Sequence, residues 1–195
     1  MKKGFCFLLL LFCTLLIFSC KSKHGATGIT VTSDTVRFYP ATEYFNDQVK
    51  KVAASNSYIY EITINDKKVR DSVALSKQQF MQLAQTFLAV DISDKSIHKY
   101  YKENIFMDET THSYTFNYTA MDSTLPLQSM DVLLDAGDQQ VTRVFLNRST
   151  ISGDSTITEK AGWRTNSSFF INRIVDYADG RTTTQQNIIV WRNRP

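Results

Sequence analysis

The chain has 195 residues, with 22 Lys and Arg against 19 Asp and Glu and a formal charge of +3. Lys2 and Lys3 stand at the very start, and without them the balance is 20 to 19. The remaining basic residues are scattered, with no basic cluster and no aromatic-basic module, which excludes a nucleic-acid binder.

Lys2 and Lys3 form a positive n-region, and Phe5 to Phe18 follow as an apolar run broken by Thr14 alone. The run has the length of a signal-peptide core and falls short of the roughly 18 residues that argue a spanning helix. Ile17-Phe18-Ser19-Cys20 closes it and resembles the lipobox of bacterial lipoproteins: an aliphatic residue, a loose position, a small residue, then cysteine. Phe18 is bulkier than the usual occupant of its position. The resemblance implies a signal peptide over residues 1–19 and a Cys20 whose thiol carries diacylglycerol, with a further acyl chain (palmitate) on the amine. One acyl chain gives marginal membrane binding and stable attachment needs a second signal, so several chains on Cys20 imply a permanent anchor. All three cysteines (Cys6, Cys13 and Cys20) lie in this leader. The domain behind it is expected to hold no disulfide, no thiolate-bound metal and no cofactor.

Residues 20–34 read as the lipidated cysteine and a polar tether, with Gly25 and Gly28. Bacteroidota-type lipoproteins bound for the cell surface carry acidic residues just behind the lipidated cysteine. Lys21-Ser22-Lys23 departs from that pattern, which implies a protein facing the periplasm, on the outer membrane where the cell has two.

Residues 35–195 are expected to form one domain. Val36 to Tyr39 suggests a short strand ended by Pro40. Ala41, Tyr44, Phe45, Val49 and Val52 then fall on one helical stripe. Period 2 takes over at Tyr58, Tyr60, Ile62 and Ile64, and Asn65-Asp66 turns the chain into a partner strand over Lys68 to Leu75. Ser76 with Gln79 fits a capping box opening a second helix, striped by Phe80, Leu83, Ala84, Phe87 and Leu88. Asp91 to Tyr101 suggests a short helical turn. Strands are then predicted over 113–119, 130–134, 141–147, 156–160, 169–177 and 183–191, separated by turns at Ala136-Gly137-Asp138, Gly153-Asp154 and Asp179-Gly180. Gaps this short allow hairpins and not helical crossovers. The expected class is α+β, an antiparallel meander with two amphipathic helices on one face. The alternative is a lipocalin-like closed barrel around a ligand cavity.

No catalytic residue and no metal ligand set emerges. Gly153-Asp154-Ser155 looks like the start of the GDS-type lipase and esterase signature, but no histidine follows His112 to serve as base. A hairpin turn is the better reading. His24, His98 and His112 lack the spacing of a zinc or general-base site. Asp131 and Asp135 share a strand face, but that face is expected to be solvated. Trp163, in Gly162-Trp163-Arg164 between two predicted strands, is the candidate partner contact, since exposed aromatic anchors concentrate at interfaces.

Two functions of different class remain open. One is a non-catalytic, lipid-anchored envelope protein that binds an envelope partner or serves envelope assembly. The other is a lipoprotein holding a lipid, glycan or small molecule in a barrel cavity or on the sheet face. The anchor has a direct test: mass spectrometry of the processed chain is expected to find the first residue at Cys20 carrying acyl mass, and an unmodified start at any other residue refutes it.

Overall fold

The computed structural model describes residues 38–192 apart from 67 and 90, and leaves the side chains of Val69, Arg70 and Asp71 undescribed. The expected signal peptide, Cys20 and tether lie outside the described residues. Phe38 and Tyr39 are not in a strand. Helix α1 (Ala41–Ala54) leads into the hairpin β1 (Tyr58–Asn65) and β2 (Lys68–Ala74). Helices α2 (Lys77–Leu88) and α3 (Lys95–His98) follow. Seven strands complete the chain: β3 (Tyr101–Asp108), β4 (Ser113–Ala120), β5 (Leu127–Asp135), β6 (Val141–Ser152), β7 (Ser155–Arg164), β8 (Ser168–Tyr177) and β9 (Thr182–Arg192).

All nine strands join one antiparallel sheet in the order β2-β1-β9-β8-β7-β6-β5-β4-β3. The first hairpin is therefore built at one side, α2 and α3 carry the chain to the other, and the meander returns until β9 meets β1. The sheet is open, with β2 and β3 as its edges. This corrects the closed-barrel alternative and the barrel cavity that came with it. The reason lies on the face that a barrel would enclose, where helix side chains already sit.

Paired residues define that face. Phe116, Val132, Val144, Trp163, Phe169 and Ile189 form one cross-strand row from β4 to β9. Tyr118, Met130, Leu146, Ala161 and Ile171 form the next. Helix α1 buries Phe45, Val49 and Val52 at helical spacing, and α2 buries Phe80, Ala84 and Phe87. Helix rings meet sheet rings edge-on: Phe45 lies 5.6 Å and Phe87 5.1 Å from Trp163, and Phe80 lies 5.5 Å from Trp191. Trp163 itself stacks on Phe169 at 5.0 Å and 15°.

The predicted capping box is present, with the Gln79 amide donating to Ser76 Oγ at 3.2 Å and the Ser76 amide donating to Gln79 Oε1 at 2.9 Å. Two expectations need correction. Trp163 is not in a loop; it lies in β7 and is 1% exposed. A partner could reach this indole only by opening the core. Strand β3 went unpredicted, because Lys102-Glu103-Asn104 followed by Ile105-Phe106-Met107 shows neither period.

Deleting a ring from this layer leaves a cavity between helices and sheet. Phe80→Ala is expected to lower unfolding stability by ~3–5 kcal/mol. Ser76→Ala, which removes only the cap, should cost about 1 kcal/mol. Chemical denaturation of the two variants reads the difference, and equal losses would contradict the layered core.

Candidate functional site

With the helix side filled, accessible chemistry lies on the opposite face, at the far end of the long strands and along the edges. On the opposite face, Phe145, Gly162, Phe170, Ile188 and Ile62 form a cross-strand row over five strands. Phe145 and Phe170 are half-buried although no helix covers them. Gly162 separates them for a steric reason. A Cβ at that position would approach Phe170 Cε1 and come within 3.0 Å of Phe145 Cδ1, so both rings lean over one bare backbone position. A glycine inside a strand marks this kind of close approach.

Beside this row runs a polar one, Ser129, Asn147, Lys160, Asn172 and Gln186, also paired strand to strand. The two rows frame a cleft of about 310 Å³ lined by Ser129, Asp131, Phe145, Asn147, Lys160, Phe170 and Asn172. Asp131 Oδ1 accepts from Asn117 Nδ2 at 2.6 Å. The Oδ1 atoms of Asn147 and Asn172 are shielded from solvent and accept from no donor. Lys160, between them in register, makes no ion pair with any described residue.

A larger cleft of about 410 Å³ lies at the far end of β8 and β9, around Asn65, Asp66, Arg173, Tyr177, Thr183 and Gln185. Its one aromatic ring, Tyr177, is already covered by the Arg181 guanidinium at 4.8 Å from the centroid. Despite its size, this cleft offers less to a ligand. On the helix side, Arg148 lies near Glu159 and Tyr101, and burial lowers its guanidinium pKa. Its Nε has no partner. Tyr118 Oη accepts the Tyr39 amide at 2.9 Å, and burial raises its phenol pKa.

The residues weighed from sequence are dispersed. His98 stacks on Phe38 at 5.0 Å, and His112 occupies the β3–β4 turn with φ of 47°. His24 lies outside the described residues. Asp131 and Asp135 do not work as a pair: Asp131 holds Asn117, while Asp135 accepts the turn amides of Gly137 at 2.8 Å and Asp138 at 3.3 Å. Gly153 has φ of 60° and Ser155 Oγ donates to the Ser152 carbonyl at 2.8 Å, as the hairpin reading requires. Among the described residues, no group of three or more His, Cys, Asp or Glu is placed to hold a metal.

The edges differ. Strand β3 pairs with β4 along its whole length without a shift, while no strand of the described residues lies on its other side. It exposes Ile105, Phe106 and Met107 at 41%, 52% and 46%. The opposite edge, β2, is paired to β1 through a register shift between Thr63 and Ile64. Irregularity is one of the usual guards of a sheet edge. β2 has it, and β3 does not.

No protein-family model matches the sequence, and no curated protein matches it. Among solved structures, the chain is similar at a TM-score of 0.27 to an S-type phycobiliprotein lyase of Guillardia theta. The two are 8% identical over 83% of this chain and 99% of the other. A likeness at that score supports no inference about fold or chemistry.

The Gly162 contact makes a quantitative prediction. Gly162→Ala is expected to cost ~1–3 kcal/mol by overpacking. The same change should cost less in a Phe170→Ala background, where the clashing ring is gone. A double-mutant cycle by urea unfolding measures the coupling, and additive losses would show that the rings do not close over the glycine.

Proposed function

We propose that this chain is a lipid-anchored, non-catalytic protein of the bacterial cell envelope, held by acylated Cys20 and facing the periplasm from the outer membrane. It assembles there by pairing β3 with β3 of a second copy. The anchor rests on the leader residues. The assembly reading rests on one observation, the unguarded apolar edge of β3.

A sheet edge recognises another strand through its free backbone amides and carbonyls, and alternate side chains set the register. An antiparallel pair centred on Ile105 sets Lys102 opposite the partner's Asp108 at both ends and Ile105 opposite Ile105, with Asn104 facing the partner's Phe106 and Glu103 its Met107. Centring on Phe106 instead sets Glu103 against the partner's Glu109. Centring on Asn104 leaves Lys102 against the partner's Phe106. Charge therefore favours the Ile105 register, since like charges directly opposite are destabilising.

Directly opposed residues in such a pair have Cβ atoms about 4.5–5.5 Å apart, close to disulfide range. Every native cysteine lies in the leader. In intact cells under mild oxidation, Ile105→Cys is expected to give a cross-linked dimer of this chain, and Ile151→Cys, exposed on β6, should stay monomeric. Adding Phe106→Lys should weaken the association at least about tenfold, or ~1.4 kcal/mol. An Ile105→Cys chain that stays monomeric, or couples only to a different protein or to its own residues ahead of Phe38, overturns self-pairing.

A further inference from the structure

We infer that the cleft between β5 and β8 on the face away from the helices is a saccharide-binding site, with Phe145 and Phe170 as its floor and Asp131, Asn147, Lys160 and Asn172 as its hydrogen-bonding rim. The inference is independent of the β3 edge, which lies elsewhere on the sheet.

Two features of this cleft are expensive for a surface that only meets water. The first is the pair of phenylalanines on a face that no helix covers. They occupy β6 and β8 and share the glycine between them, where a Cβ would collide with Phe170 and crowd Phe145. A solvated strand face ordinarily alternates to polar residues. Here a glycine, which weakens a strand, stands where the two rings converge. The second is the unmet polarity beside them. The side-chain oxygens of Asn147 and Asn172 are shielded and accept from no donor among the described residues, and Lys160 between them makes no ion pair with any described residue. Buried polar groups are nearly always hydrogen-bonded, and these two acceptors flank one cation beside the half-buried rings, where the hydroxyls of a ligand can answer all three.

The chemistry of the rim selects the ligand class. An acyl chain would use the rings and leave the amides, Lys160 and Asp131 unanswered. A phosphate would meet Lys160 but also the Asp131 carboxylate, whose one hydrogen bond to a side chain is to Asn117. A pyranose answers both parts. Its C–H face is apolar and packs on aromatic rings, while each hydroxyl both donates and accepts. Hydroxyls donate to the Asp131 carboxylate and accept from Lys160 Nζ, and they reach the Asn147 and Asn172 oxygens when those amides turn into the cleft. A volume of about 310 Å³ lies at the small end of ligand pockets, which suits one or two sugar rings.

The test uses the full lipidated chain in a zwitterionic detergent without a sugar headgroup, titrated with cellobiose, maltose, lactose and N,N′-diacetylchitobiose, and separately with sodium phosphate. Isothermal titration calorimetry is expected to show saturable binding of at least one disaccharide and none of phosphate. Phe170→Ala should weaken binding at least about tenfold, the loss of one stacking floor. Because that variant also removes packing, Asn147→Ser with Asn172→Ser serves as a second probe. It should weaken binding comparably while leaving the thermal midpoint within a few degrees. Absence of binding across the sugars, binding that both variants leave unchanged, or binding of phosphate alone overturns the assignment.

Discussion

Trp163 and the rings around it decide where everything else in this molecule sits. Its stack on Phe169 joins β7 to β8, and Phe45 and Phe87 from the two long helices strike it edge-on. The same helix α1 is tied to the turn that follows Trp163. Tyr44 Oη and Thr165 Oγ1 are 2.6 Å apart, and Gln48 Oε1 accepts the Asn166 amide at 3.3 Å. Register and helix placement are thus one constraint, not two. Side chains alternate with period 2, so a slip of one residue in β7 would turn the indole to the opposite face and strand every helix ring. Asn166, at φ of 54°, closes this hairpin in a conformation that asparagine tolerates better than most residues.

Filling one face so completely has a consequence for function. The sheet has nine strands, enough in number to curl on itself, but its interior side holds helices in place of a cavity. Among the described residues no strand pairs with the outer side of β2 or β3, so the sheet is open at both edges. Chemistry that a barrel would carry inside has to sit outside, in the aromatic cleft at Gly162 or on the free edge.

Legibility in the sequence followed the strength of local pattern. Ser76 with Gln79, the stripe from Phe80 to Phe87 and the turns at Gly153 and Gly180 were readable because each depends on residues within a few positions. Strand β3 was not, because an edge strand with its apolar residues in a run shows no alternation; its pairing with β4 alone defines it. Trp163 was misplaced for a related reason. Gly162 reads as a turn signal, yet here it marks ring closure by Phe145 and Phe170, residues 17 and 8 positions away and set by pairing across β6 and β8. The cleft was invisible on the same grounds. Asn147, Lys160 and Asn172 are ordinary strand residues until the register places them side by side.

The leader and the edge strand gain force when considered together. An apolar strand edge on a freely diffusing protein invites indiscriminate pairing, and natural sheets suppress it. Restriction to a membrane plane changes the balance. Copies held by a lipid at Cys20, as proposed, would meet at a high effective concentration with limited orientations, so that a short strand pair too weak in solution would become sufficient. In the proposed pairing selectivity would come from register, for which β3 offers Lys102 near its start and Asp108 at its end, with Glu103 between them. β2, at the opposite side of the same sheet, has a register shift in its hairpin, an irregularity of the kind that discourages further pairing. If only β3 pairs, growth would stop at two copies, whereas two open edges would build an unlimited ribbon on the surface that the proposed anchor implies.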